Sequence, residues 1–203
     1  MIPKEFRQVG NILLVYNPDG FIPATIRKVM LLKANRKGIN KDYTEGLGKE
    51  WPKRIYNHSE LFVDRRHYIG EREGLITALK DGVNIRKYSS VVLPMTKKKF
   101  AVLVPKVPYT DWEKKKINDA AYDFVNSPHR YDFKSLGLWH IVAAFTDEWL
   151  GKTGKKAEKR MYCYEITGVC SNYSGREIFE HDHYIDFWDI WLNKNYELIW
   201  ESD

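Results

Sequence analysis

Long apolar runs are missing from this 203-residue chain: none approaches the roughly 18 apolar residues that a membrane span needs. The opening Met1-Ile2-Pro3-Lys4-Glu5-Phe6-Arg7 also lacks the apolar core of a signal peptide. The chain therefore reads as soluble and made in a cytoplasm, with lysis or a dedicated secretion route as its way to any external substrate. Cysteine is scarce, with only Cys163 and Cys170. Seven positions apart in one helix, their Cα atoms would lie about 10 Å from each other, too far for a disulfide. There is no internal repeat and no low-complexity tract, which excludes a solenoid or a linker protein. No zinc-finger or basic-zipper pattern occurs, so no specific nucleic-acid motif is present. Nothing implies a cofactor.

What is present is ample material for a core. With 43% hydrophobic residues against 30% charged, the composition is that of one folded domain of ordinary size, covering residues 1–203. The net charge of +6 is unevenly placed. Residues 27–54 hold nine basic side chains, Arg27, Lys28, Lys33, Arg36, Lys37, Lys41, Lys49, Lys53 and Arg54, against Asp42, Glu45 and Glu50, so the whole excess lies there. Residues 177–203 are acidic, with Lys194 as their one lysine or arginine. The polarity raises the question of a polyanionic partner.

Patterning predicts strands first and helices second. Residues 11–16 form an apolar run ended by Asn17-Pro18-Asp19-Gly20, a strand and its turn. Ile22, Ile26, Val29, Met30 and the stem of Lys33 share one helical face, with Pro23 tolerated in the first turn. Residues 35–54 lose that period and read as a mobile basic loop, an insertion on the surface. Strands follow over 59–63, 74–79, 83–88 and 100–104, the second and third joined by the turn Asp81-Gly82 and the last apolar on both faces. Helices are expected over 112–124 with Asp111 as cap, over 134–150, from about 161 to 171–175, and over 186–192, before a closing strand at 196–200. Residues 151–160 form a basic connection. This order is α+β rather than alternating βαβ.

Cys163 is the leading candidate for chemistry. It opens a helix just after Lys155, Lys156, Lys159 and Arg160, and both a helix N-terminus and nearby cations lower a thiol pKa. The competing reading is a small buried hydrophobe, which is retained for Cys170. A nucleophilic thiol needs a base. Of the histidines at 58, 67, 129, 140, 181 and 183, His58 opens an apolar strand whose edge could face a helix N-terminus. His181 and His183 flank Asp182, but two histidines without a third placed ligand do not define a metal site, and no metal is assigned.

In order along the chain, Asn11-Ile-Leu-Leu-Val, Asn57-His58-Ser-Glu-Leu-Phe-Val, Gly74-Leu-Ile-Thr-Ala-Leu with Asp81-Gly82-Val83, Tyr131-Asp132-Phe133 and Tyr162-Cys163-Tyr164-Glu165 resemble the circularly permuted NlpC-type papain-like hydrolases. The resemblance implies an antiparallel sheet packed against helices, a nucleophile at a helix N-terminus, and a histidine that precedes the cysteine in the chain. It implies Cys163 as nucleophile, His58 as its partner, and a polar residue on the next strand, here Thr77, to orient the imidazole. A threonine hydroxyl can accept the Nδ1 proton but supplies no charge. Glu60, two along the strand from His58, shares its side and is the alternative. Tyr162 and Tyr164 flank the thiol as candidate substrate-binding residues, with packing as the other reading. Glu165 is expected to cap the helix rather than react.

The implied activity is hydrolysis or transfer of an amide, ester or thioester acyl group through a covalent Cys163 intermediate, on cell-wall peptides or lipids. The alternative is an inactive binding module that uses residues 27–54 to hold nucleic acid or an anionic membrane. Substrate identity and oligomeric state are open at this point.

Overall fold

The computed structural model describes residues 1–19, 21–65, 72–92, 97–127, 130–131, 160–180 and 185–203. The predicted helix over 134–150, the connection over 151–159, Asp132, and the histidines at 67, 129, 140, 181 and 183 lie outside the described residues. Among the described residues, no helix is long and apolar enough to cross a membrane.

Six strands form one sheet: β1 (Ile12–Tyr16), β2 (His58–Asp64), β3 (Glu73–Leu79), β4 (Gly82–Lys87), β5 (Lys99–Pro105) and β8 (Tyr196–Glu201). Their order is β4-β3-β2-β1-β5-β8, and every pairing is antiparallel. A separate two-residue ladder joins β6 (Arg130–Tyr131) to β7 (Arg160–Met161) in parallel. The helices are α1 (Phe21–Arg36), α2 (Lys41–Gly46), α3 (Tyr88–Val92), α4 (Asp111–Asn126), α5 (Cys163–Asn172) and α6 (Phe187–Trp191), with a single 3₁₀ turn at Lys4–Phe6. The result is a mixed α+β fold, an open antiparallel sheet covered by helices.

Strand alternation explains the two sides of that sheet. Ile12, Leu14, Leu61, Val63, Ile76, Ala78, Ala101 and Leu103 point into the main core, where residues of α1, α4, α5 and α6 meet them. Leu13, Val15, Phe62, Leu75, Phe100 and Val102 point the other way, into a smaller core closed by Ile2, Tyr88 and Val91. The run Ile12-Leu13-Leu14-Val15 is thus buried on both faces, which is why it lacks polar alternation. Gly82 sits at φ +113° where β3 turns into β4, a conformation that favours glycine.

Two sequence expectations change here. The cap of α4 is Thr110, not Asp111: its side chain accepts from the Glu113 N–H at 3.3 Å while the Glu113 carboxylate accepts from the Thr110 N–H at 2.7 Å. Residues 35–54 are not a loose loop either. Asn40 caps α2 by accepting from the Tyr43 N–H at 2.8 Å, Ile39 and Thr44 are buried, and Lys49 Nζ donates to the Trp191 carbonyl at 2.7 Å and to that of Asn193. Trp191 Nε1 in turn donates to the Glu50 carbonyl at 3.2 Å, and Trp51 packs on Trp188 with ring centroids 5.4 Å apart. The segment is a strap docked on the C-terminal helix.

Candidate functional site

His58 and Cys163 stand 105 residues apart in sequence (163 − 58) and meet where β2 and α5 both begin. The chain ahead of His58 is fixed by Asn57. Its N–H donates to the Val15 carbonyl at 3.1 Å, its Oδ1 accepts from the Asn17 N–H at 3.0 Å, and its Nδ2 donates to the Asn17 carbonyl at 2.8 Å. One residue on, Ser59 Oγ lies 3.1 Å from Thr167 Oγ1, which itself donates to the Cys163 carbonyl at 3.0 Å. Because that bond uses the only hydroxyl hydrogen of Thr167, Ser59 is the donor between the two. The first turn of α5 is therefore tied to the strand residue next to His58. Gly168 allows the tight approach on the other side of the helix, since a Cβ there would lie 1.9 Å from Ile185 Cδ1.

Around the imidazole the donors and acceptors assign themselves. Thr77 Oγ1 donates to the Ser59 carbonyl at 3.1 Å, so at 3.2 Å from His58 Nε2 it can only accept. Glu60 Oε1, 3.2 Å from the same Nε2, is a second acceptor. Nε2 therefore carries the proton, and both residues considered for the third position hold it together. The contact falls on Nε2 rather than on Nδ1 as expected from the sequence. Arg86, on β4, donates from Nη2 to Glu60 Oε1 and keeps a charge beside a carboxylate that is only 1% exposed.

The ring lies close enough to the Cys163 side chain to be coupled to it electrostatically. Burial pushes the His58 pKa down, but the neighbouring Cys163 side chain, followed by Glu60, outweighs burial and raises it from 6.5 to about 9. The imidazole is therefore held as a cation at neutral pH. Cys163 itself is buried, whereas the His58 side chain is 21% exposed and lines a cavity of about 210 Å³ together with Asn17, Asn57, Glu60, Arg86 and Lys98.

Other candidates fall elsewhere. Tyr162 and Tyr164, expected to flank a substrate pocket, are both core residues at 0% exposure. The Tyr164 hydroxyl donates to the Tyr56 carbonyl at 2.7 Å, and neither ring lines the cavity at His58. Adjacent residues at a helix start face inward here because α5 is buried along its whole length up to Ser171. Glu165 accepts from the Tyr162 N–H at 3.1 Å, the capping role expected of it. Cys170 is buried with no imidazole beside it among the described residues, and burial raises its thiol pKa far above the ordinary value. Among the described residues, no group of three or more His, Cys, Asp and Glu side chains could hold a metal ion.

The basic segment is largely committed to holding the fold. Arg27 donates to the Asn17 and Pro18 carbonyls, Lys33 pairs with Asp186, Arg54 donates to the Ser202 carbonyl at 3.1 Å, and Lys53 lies 3.6 Å from Glu201. With Lys49, five of the nine cations of residues 27–54 bind the protein's own carbonyls or carboxylates. Sequence reading missed Arg86 and Lys98. The available signal was an arginine in a strand that lies two places across the sheet from the one carrying a buried glutamate.

No family model matches the chain, and no curated protein matches it. Among solved structures it is similar to the metalloprotein yiiX from Escherichia coli O157:H7, a DUF1105 protein, with TM-score 0.51 and 15% identity over 85% of this chain and 69% of that one. At that identity the likeness speaks for the fold alone. It also corrects the assignment to NlpC-type papain-like hydrolases: the structure that shares the fold is a protein of a different family. The short apolar motifs that suggested the assignment are the strands and turns of an open antiparallel sheet, and their order reflects architecture.

Proposed function

We propose that the protein is a thiol-dependent hydrolase or acyltransferase acting on amide, ester or thioester bonds. The observation that supports it most is the placing of the His58 imidazole, fixed by Thr77 and Glu60, beside Cys163 at the start of α5, where the Cys163 side chain raises the imidazole pKa. With Nε2 held by Thr77 and Glu60, Nδ1 is the ring nitrogen left for the thiol. The Cys163 thiolate attacks the acyl carbon and forms a tetrahedral oxyanion, stabilised by backbone N–H groups at the helix start, that of Cys163 among them. Collapse of that intermediate breaks the bond to the leaving group, which takes the proton from His58 and leaves a thioester on Cys163. Water or an acceptor nucleophile then gives its proton to His58 and attacks the thioester, regenerating the pair. Glu60 and Thr77 are positioning residues: they fix the tautomer and the charge of the ring but do not touch the acyl group.

Cell-wall peptides and lipids are the substrate classes to screen. The polyanion-binding alternative is weakened by the inward commitment of Arg27, Lys33, Lys49, Lys53 and Arg54. The test is iodoacetamide labelling against pH, with the modified residue mapped by mass spectrometry. Cys163 and Cys170 are equally buried and share a helix, so the second is an internal control for access. The expected result is labelling of Cys163 at least about tenfold faster than Cys170 below pH 7, with the ratio collapsing in His58→Ala. Equal, slow labelling of both thiols in the native protein would overturn the proposal.

A further inference from the structure

The cavity beside His58 contains chemistry that the thiol reaction leaves unused. Lys98 lines it, and its ammonium has no hydrogen-bond or ion-pair partner among the described residues. Burial and then the nearby Arg86 guanidinium hold Lys98 below the ordinary lysine pKa, while Glu60 acts in the opposite direction. Arg86 lines the same cavity. One of its Nη groups is engaged by Glu60, but its Nε–H is buried without a partner among the described residues. An unmatched buried donor is costly, and a bound acceptor would relieve that of Arg86. The side chains of Asn17 and Asn57, also in the wall, are already engaged: Asn57 with the Asn17 backbone, Asn17 with the Asp19 N–H. The charges are lopsided even without His58, with Arg86 and Lys98 facing the single carboxylate of Glu60. Pro23 and Ile26 bring the first turn of α1 to the same wall, and a helix N-terminus adds a positive end. None of the nine basic residues of 27–54 lines this space.

We infer that this cavity is an anion subsite in which Lys98 and the Nε–H of Arg86 hold a phosphate or carboxylate group. Its size sets the scale of the ligand. At about 210 Å³ it is below the roughly 300 Å³ at which pockets for drug-sized ligands begin, and large compared with the about 30 Å³ share of one water. It suits a headgroup or a chain end rather than a whole substrate. Glu60 Oε2, which has no partner among the described residues, could accept from a hydroxyl or N–H beside the anion. Since His58 belongs both to this wall and to the thiol pair, an anion held here would lie close to the reacting acyl bond. That placement rests on the proposed thiol chemistry; the binding of an anion does not.

Isothermal titration at fixed ionic strength tests the subsite with two probes, inorganic phosphate and N-acetylglycine, and with the neutral N-acetylglycine amide as control. Saturable binding of at least one anion is expected, weakened about tenfold or more in Lys98→Gln, as for loss of a charged hydrogen bond, and unchanged in Lys37→Glu. Arg86→Lys, which keeps a charge for Glu60 but removes Nε, should weaken it as well. Phosphate binding alone would assign a phosphorylated group such as a lipid headgroup; N-acetylglycine binding alone would assign a carboxylate chain end. Absence of saturable binding by either, or binding indifferent to Lys98→Gln, would overturn the inference. The same titration on Cys163→Ala keeps the two readings apart, because anion binding should survive loss of the thiol and a failed labelling experiment would leave it standing.

Discussion

The two ends of α5 carry the same side chain in opposite settings. Cys163 begins the helix, beside an imidazole whose cationic form is favoured by its surroundings; Cys170 lies seven residues deeper, where burial alone governs it and drives its thiol away from ionisation. Both are closed to solvent. The difference therefore does not come from exposure. It comes from whether a second group, supplied by a distant strand, compensates the cost of a buried charge.

The strongest way to break this comparison is to swap each sulfur for oxygen. Cys163→Ser should lower turnover of an activated ester such as p-nitrophenyl acetate by about a thousandfold or more, as for removal of a nucleophile that works as part of a unit, whereas Cys170→Ser should leave kcat/KM within about twofold. His58→Ala should cost about a hundredfold or more in the same assay, the range of a lost acid–base group. Stability should rank the two ends the other way. A serine at 170 places a hydroxyl in an apolar site and should cost about 1–3 kcal/mol in urea unfolding, the penalty for an unmatched buried polar group.

A pH series sharpens the contrast further. The folded pKa of His58, about 9, lies above its ordinary 6.5. Folding therefore favours the protonated ring. The stabilisation from this residue is complete below about pH 6.5 and is lost as pH rises through about 9, so the stability gap between the native protein and His58→Ala should close over that window. The smallest effects belong to the positioning residues. Thr77→Val and Glu60→Gln should each reduce turnover by less than about tenfold. Only Glu60→Gln should move the alkaline limb of the rate profile to lower pH, because it removes a charge that raises the His58 pKa.

The strands and the nearness of His58 to Cys163 were legible because they rest on local pattern: alternation in β2 and β3, the apolar run of β1, and a helix start at Cys163. Glu60 and Thr77 could be named for the same reason, since period-two spacing and strand adjacency place them near His58. That both act on one nitrogen could not be read, because it follows from the Thr77–Ser59 bond across two strands. The strap over 35–54 was missed because α2 is one short turn held by Asn40, and its docking depends on Lys49 and Trp51 meeting α6, some 140 positions on. The Arg86–Lys98 cavity depends on cross-strand register and on the approach to β5, neither of which has a local signature. The tyrosines beside Cys163 were misplaced because sequence adjacency to a reactive residue says nothing about which way a buried helix faces.

The Ser59–Thr167 bond joins positions 108 apart, and the thiol–imidazole pair spans nearly as many. Closing so long a loop is among the later events in assembling such a chain. Until β2 is in the sheet and α5 has docked on it, Cys163 and His58 do not meet and the imidazole keeps its ordinary acidity. On the proposed function, reactivity would switch on with completion of the fold, and a chain emerging from the ribosome would carry no activated thiol to modify its neighbours or itself.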